Sequence, residues 1–137
     1  MQDNPPWSRP RVLVADDHNL VVDRVMSVLR RDFEVVGTAT NGRELVEEAE
    51  RLRPDVVVLD ISMPVLTGIE AAHELRETGS TVKLVFLTMH EEPAFVEACF
   101  AEGGLGYVKK SHLGTDLIPA INEALSGHRF ISSSVPH

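Results

Sequence analysis

With a single cysteine, Cys99, the 137-residue chain can close no internal disulfide and build no thiolate metal site, which agrees with a reducing compartment. Positive charge is also scarce. Lys plus Arg number 13 against 21 Asp plus Glu, and the net charge of -8 argues against a surface that neutralises phosphate backbones or anionic membranes. Long hydrophobic runs are missing too: Val56-Val57-Val58-Leu59 falls far short of the roughly 20 residues of a membrane helix, and the N-terminus has no apolar signal region. The expectation is a cytoplasmic protein with no membrane contact and no direct nucleic-acid binding. Neither G-x-x-x-x-G-K-[ST] nor G-x-G-x-x-G occurs, and no pair among the six histidines has the His-x-x-x-His spacing of a helical zinc site.

What is present is an alternation. Hydrophobic residues make up 43% and charged residues 25%, the balance of one soluble domain. Residues 1–10, with three of the eight prolines, read as an extended leader outside the core, with Trp7 able to dock on the surface. Strand-length apolar runs follow at Val12–Ala15, Val35–Gly37, Val56–Leu59, Val82–Leu87 and Tyr107–Val108. Between them stand stretches of helical period: Leu20, Val25, Leu29; Leu45, Val46, Ala49, Leu52 after an Asn41-Gly42 start; Ile69, Ala72, Leu75; Pro93 to Glu102; and Leu117, Ile118, Ile121, Leu125 after a Thr115 cap. Pro119 removes a donor about one turn into the last of these and predicts an irregular start. Continuous Val/Ile/Leu strands are buried on both faces, so the reading is a doubly wound α/β fold with a five-stranded parallel sheet and five helices. Residues 11–127 form the domain; 128–137, with three consecutive serines, are expected as a frayed tail or the start of a linker.

In such a sheet ligands bind outside the carboxyl ends of the strands. Those ends carry Asp16-Asp17, Asp60, Thr88 and Lys109-Lys110. Two like charges about 4 Å apart repel by about 4 kcal/mol at an effective dielectric near 20, so three converging carboxylates need a counter-charge. An all-oxygen set with open water positions suits Mg²⁺ better than zinc. A metal, a lysine and a hydroxyl around one carboxylate form a site for a phosphoryl group. Asp16 and Asp17 suit metal holding, while Asp60, alone on its strand end, suits nucleophilic attack to give an aspartyl phosphate. The bland alternative, that each Asp only caps its helix, explains one strand end but not three with a matching Thr and Lys.

The runs Val14-Ala15-Asp16-Asp17-His18, Asp60-Ile61-Ser62-Met63-Pro64-Val65-Leu66-Thr67-Gly68, Leu87-Thr88 and Gly106-Tyr107-Val108-Lys109-Lys110 resemble, in order, the receiver domain of two-component response regulators. Leu87-Thr88-Met89-His90-Glu91-Glu92 is similar to the LuxR/NarL-type branch. The resemblance implies a flavodoxin-like sheet of order 2-1-3-4-5 and a signalling phosphoacceptor rather than an enzyme. It makes Asp60 the residue phosphorylated by a sensor histidine kinase. Mg²⁺ would be bound by Asp17, Asp60 and the main-chain carbonyl of Ser62, with Asp16 assisting largely through water. Thr88 would bond the phosphoryl oxygens, and the G-Y-x-x-K pattern selects Lys110 as their ion-pair partner, leaving Lys109 as surface charge. Thr88 and Tyr107 would form the switch that reshapes the face of helix 4, strand 5 and helix 5. That face would act on a partner, on a second copy, or on a C-terminal helix-turn-helix domain outside this sequence that binds DNA and regulates transcription.

Other readings compete. A haloacid-dehalogenase-like phosphohydrolase also uses Asp, Mg²⁺, Thr and Lys, but puts its nucleophile on the first strand in Asp-x-Asp, and Asp16-Asp17-His18 lacks the second acid. A binding scaffold would not need the full acidic, Thr and Lys set. Without the motif, Tyr107 reads as a half-buried strand aromatic with its tip in water. Met89 is expected to lie over the site and slow hydrolysis of the aspartyl phosphate. Ser111 stands where relatives often carry proline, and the sequence selects neither isomer of the Lys110-Ser111 bond. His18 is expected at the surface, Cys99 as a buried hydrophobe, and Glu47-Glu48 and Glu91-Glu92 as solvated helix surface.

Overall fold

The computed structural model describes residues 8–133 and 135; Trp7 and the rest of the leader before it lie outside the described residues. The elements alternate as β1 (Arg11–Ala15), α1 (Asn19–Leu29), β2 (Glu34–Ala39), α2 (Gly42–Leu52), β3 (Val56–Leu59), α3 (Gly68–Glu77), β4 (Lys83–Thr88), α4 (Pro93–Ala101), β5 (Gly106–Lys109), a 3₁₀ turn (Lys110–His112), α5 (Leu113–Leu125) and β6 (Phe130–Ile131). All pairings are parallel, in the order β2-β1-β3-β4-β5-β6.

The unbroken apolar strands are explained by their alternation between two cores. Leu13, Val57, Leu59, Leu84, Phe86 and Tyr107 point to the layer of α2, α3 and α4. Val12, Val14, Val56, Val58, Val85, Leu87 and Val108 point to α1 and α5. The central strands are therefore apolar along most of their length, with polar residues at their ends, and lie between two helical layers.

The flavodoxin-like fold and its strand order are as read from the sequence, with one correction: the sheet has six strands. The sixth comes from the stretch expected as a tail. Phe130 pairs with Gly106 and Ile131 with Tyr107, the Ser132 main-chain N–H donates to the Tyr107 carbonyl at 2.9 Å, and Val135 is buried in the α2-α3-α4 core. A two-residue strand held by backbone pairing leaves almost no period in the sequence, which is why it escaped notice.

Helix ends follow local chemistry. The Asn41 side chain accepts from the Glu44 N–H at 2.8 Å, and Thr67 with Glu70 forms a capping box. The last helix differs from expectation. It begins at Leu113, two residues before Thr115, and the irregularity lies ahead of it in the 3₁₀ turn, with Pro119 accommodated inside. Leu20 is 84% exposed; the buried face of α1 is Val22, Val25 and Leu29, and Leu20 stands about 140° around the helix from Val25. The Lys110-Ser111 bond is trans, there being no cis peptide among the described residues.

Candidate functional site

Backbone bonds that continue past the strand ends bring the acids together. The Asp16 N–H donates to the Ala39 carbonyl and the Asp60 N–H to the Ala15 carbonyl, each at 3.0 Å, so both residues prolong the ladder of β1 and β3. Asp16 is 2% exposed and Asp60 4%. Ligand atoms of Asp16, Asp17, His18 and Asp60 all lie within 4.8 Å of one another.

Lys110 enters from the 3₁₀ turn after β5. Its Nζ lies 3.0 Å from Asp60 Oδ2 and 2.9 Å from Asp16 Oδ2. Lys109 turns the other way, 3.1 Å from Glu91 Oε1, and its side chain is too covered to be the plain surface charge that was expected. The choice between the two lysines, which strand alternation leaves open, is thus made by the turn. Burial lowers the proton affinity of the Lys110 ammonium, but its contacts with the Asp16 and Asp60 carboxylates outweigh this, and the net displacement is upward.

Asp60 is held at both oxygens: Oδ1 accepts from the Ile61 N–H at 2.7 Å and Oδ2 from Lys110. The loop that carries it is tight. A Cβ on Gly68 would stand 1.9 Å from the Asp60 carbonyl oxygen, and the Gly68 N–H donates to the Ile61 carbonyl at 2.8 Å. The glycine that ends D-x-x-M-P-x-x-x-G lets α3 start against the end of β3. Within the same loop Val65 has φ 71°, a left-handed conformation unusual for a β-branched residue, at the centre of a turn closed by Leu66 N–H to Pro64 carbonyl at 2.7 Å.

Thr88, fully buried, ends β4 beside β3. Its Oγ1 accepts from the His90 N–H at 3.1 Å. Tyr107 is wholly buried rather than half-buried, and its hydroxyl donates to the His90 carbonyl at 2.7 Å. Burial pushes the phenol upward from its ordinary value. His90 also approaches Ser62 Oγ with Nε2 at 2.7 Å and stacks on Phe95 with ring centroids 4.4 Å apart. One residue thus touches Ser62, Thr88 and Tyr107, a connection that nothing in histidine spacing signals.

Two other expectations change. Met89 is 78% exposed and covers nothing; it lines an open groove with Leu20, Val21, Lys110 and Ser111. Glu91 and Glu92 lie ahead of α4, exposed as expected but not on its surface. Cys99 is buried, its thiol pushed up to about 12 by desolvation, and is inert.

The acids, lysine and neighbouring hydroxyl thus stand at one sheet edge with net negative charge. Three carboxylates face one ammonium, and Asp16 Oδ2, buried and without a well-aligned hydrogen bond, is met only by the ion pair with Lys110. An oxygen-rich pocket short of two positive charges fits a hard divalent cation.

Comparison with known proteins agrees. The response regulator receiver domain family matches residues 12–122. The response regulator GacA of Pseudomonas viridiflava is 35% identical over 91% of this chain and 59% of its own length, and the transcriptional regulatory protein DegU of Brevibacillus brevis 32% over 93% and 55%. The chain therefore spans little more than half of these relatives. Among solved structures, a LuxR-family two-component response regulator from Aurantimonas sp. SI85-9A1 superposes with a TM-score of 0.88 at 32% identity, covering 93% of each chain. The signal receiver domain of the response regulator NarL from Mycobacterium tuberculosis gives 0.84 at 29%, covering 88% of this chain and 99% of that one. By its motifs, its fold and a match over most of its length, the chain belongs to the response regulator receiver domains, among the LuxR/NarL-type regulators.

Proposed function

We propose that Asp60 accepts a phosphoryl group from a phosphohistidine of a sensor histidine kinase, in a Mg²⁺-dependent step, and that the chain acts as a signalling phosphoacceptor rather than as an enzyme. The observation that carries this reading is the Asp60 carboxylate, buried yet held between the Ile61 N–H at 2.7 Å and the Lys110 ammonium at 3.0 Å. Lys110 supplies the counter-charge beside the carboxylate that would act as nucleophile. In the transfer the phosphorus–nitrogen bond to the kinase breaks as a phosphorus–oxygen bond to Asp60 forms. Lys110 then pairs with the phosphoryl oxygens. Thr88 Oγ1 already accepts from His90, so its O–H is left to donate to them.

Asp17, Asp60 and the Ser62 main-chain carbonyl would hold Mg²⁺, with Asp16 assisting through water. Bound there, the ion would neutralise charge on the transferring oxygens. Phosphorylation adds roughly 1.5 to 2 negative charges, and the Thr88–His90–Tyr107 connection offers a route from that charge to β5. The reshaped face of α4, β5 and α5 would act on a partner, on a second copy of the chain, or on a DNA-binding output domain that regulates transcription. No helix among the described residues is long and apolar enough to cross a membrane, and the proposed setting is the cytoplasm.

The test is incubation with acetyl phosphate and Mg²⁺ followed by intact mass. One labile phosphoryl adduct, absent in Asp60→Asn and without added Mg²⁺, is expected. An adduct that survives in Asp60→Asn overturns the assignment.

A further inference from the structure

The edge of β5, which a five-stranded sheet would leave open, is occupied by the chain's own C-terminal segment. We infer that residues 129–135 are a strap whose docking on that edge is coupled through Tyr107 to the phosphoryl state of Asp60, and that phosphorylation tightens it. This rests on the reading of Asp60 as phosphoacceptor and of Thr88 and Tyr107 as the switch, and it names the element on which the switch acts.

The strap touches α4, β5 and α5 in turn. A φ of 81° at Gly127, with the His128 N–H on the Glu123 carbonyl at 2.8 Å, ends α5 and redirects the chain. The Arg129 guanidinium then lies 4.7 Å from the centre of the Phe100 ring of α4. The Phe130 N–H donates to the Leu105 carbonyl at 2.8 Å, the Ser132 N–H to the Tyr107 carbonyl at 2.9 Å, and the Lys109 N–H to Ser132 Oγ at 3.1 Å. Main-chain groups that an edge strand offers to another chain are thus already taken. The Ser132 hydroxyl, wholly buried, donates to Asp116 Oδ2 of α5 at 2.7 Å. Ile131 and Val135 pack on the core that also holds Tyr107, and Phe130 packs on the other.

Tyr107 joins this segment to the site. Its carbonyl takes the Ser132 N–H, while its hydroxyl donates to the His90 carbonyl at 2.7 Å and Thr88 Oγ1 accepts from the His90 N–H at 3.1 Å. A phosphoryl oxygen that accepts the Thr88 O–H makes Oγ1 a stronger acceptor, because successive hydrogen bonds polarise one another. His90 is then held more firmly, and with it Tyr107 and the register of the strap. A two-residue strand has little stability of its own, so a small gain at Tyr107 moves its docking equilibrium. Mg²⁺ alone gives Thr88 no phosphoryl acceptor and should leave the strap unchanged. The bland alternative is a static sixth strand that only completes the sheet.

The test is amide hydrogen exchange of the full chain, read by NMR, with the phosphoryl mimic beryllofluoride as probe and its binding followed by its own fluorine resonance. With Mg²⁺ and beryllofluoride, exchange at Phe130, Ser132 and Lys109 is expected to slow about fivefold or more relative to Mg²⁺ alone. Coupling is reciprocal, so Ser132→Ala, by undocking the strap, should weaken beryllofluoride binding by a similar factor. Tyr107→Phe keeps the ring and drops the hydroxyl; it should keep the strap docked and lose the response. Beryllofluoride that binds without slowing these amides, or a slowing that persists in Tyr107→Phe, overturns the coupling and leaves the phosphoacceptor reading standing. No bound fluoride in the parent, or binding that survives Asp60→Asn, refutes that reading and this inference with it.

Discussion

Both sides of the β5 exit carry acids, buried on one side and half-buried on the other, and the two clusters are built in opposite ways. On the side of β3, Asp16 and Asp60 share the single ammonium of Lys110, and the pocket keeps excess negative charge. On the side of β6, Asp116 Oδ2 accepts from Ser132 Oγ at 2.7 Å, Ser132 Oγ accepts from the Lys109 N–H at 3.1 Å, and His112 Nδ1 stands 3.5 Å from the same carboxylate. The first cluster keeps uncompensated negative charge; the second closes on itself through hydrogen bonds that link the Asp116 carboxylate, the Ser132 hydroxyl and the Lys109 main chain. An unbalanced cluster is poised to take a ligand, and a closed one to hold a chain segment in place.

The contrast predicts unequal responses to single substitutions. Lys110→Met leaves two buried carboxylates facing each other, and removal of one partner from a buried ion pair costs about 3 to 5 kcal/mol. Urea unfolding at neutral pH should register that loss, and millimolar Mg²⁺ should restore part of it. Asp60→Asn, in which Lys110 keeps Asp16, should be far milder. The pH dependence has a definite sign. The folded state holds the Lys110 proton more tightly than the ordinary value of 10.5, so its contribution is intact below pH 10.5 and lost as pH rises beyond it. Lys110→Met should flatten that alkaline decline.

Gly68→Ala attacks the same side through the backbone. A methyl group 1.9 Å from the Asp60 carbonyl oxygen forces α3 away from β3, at a cost of about 1 to 3 kcal/mol. Divalent-cation affinity, read by calorimetry, should fall with it because Asp60 moves. Unchanged affinity in a destabilised Gly68→Ala would separate the loop from the site.

How much of this could be read in advance follows from the same contrast. Asp16, Asp17, Asp60, Thr88 and the Lys109-Lys110 pair were legible because parallel strands deliver their carboxyl ends to one edge whatever the details of packing, while the choice of Lys110 within the pair came from the family resemblance alone. The β6 side was not: Ser132 and Asp116 are 16 residues apart on no shared period, and a serine tract reads as solvent-exposed tail. His90 was hidden for a related reason. Its links to Thr88 and Tyr107 run through its own main chain, which is blind to side-chain identity, while its contacts with Ser62 and Phe95 use the imidazole.

On the β6 side, Ser132→Ala removes the acceptor of the Lys109 N–H and the donor to Asp116, both in a region the side chain reaches while wholly buried. Leaving buried groups without partners costs about 1 to 3 kcal/mol. Hydrogen exchange should rise at residues 130–132 and at Lys109, while Mg²⁺ affinity stays as in the parent. A loss of Mg²⁺ affinity in this variant would join the two clusters into one unit and dissolve the distinction between them.

The smallest effect concerns the loop between β3 and α3, on the Asp60 side. Val65 is 80% exposed, so its side chain adds little packing, yet its φ of 71° costs about 1 to 3 kcal/mol for a β-branched residue. Val65→Gly relieves that cost but raises the entropy of the unfolded chain by roughly 0.5 to 1 kcal/mol. The difference favours the variant, and a rise in unfolding free energy of about 1 kcal/mol is expected. Phosphorylation kinetics supply the second reading. If the strain holds the loop at its present angle behind Asp60, Val65→Gly gains stability while slowing adduct formation from acetyl phosphate; if the capping box at Thr67 and the Gly68 contact already hold it, stability rises and the rate does not move. The second outcome is the one the geometry favours, because the Gly68 N–H bond to the Ile61 carbonyl fixes the loop at a point nearer to Asp60 than Val65 is.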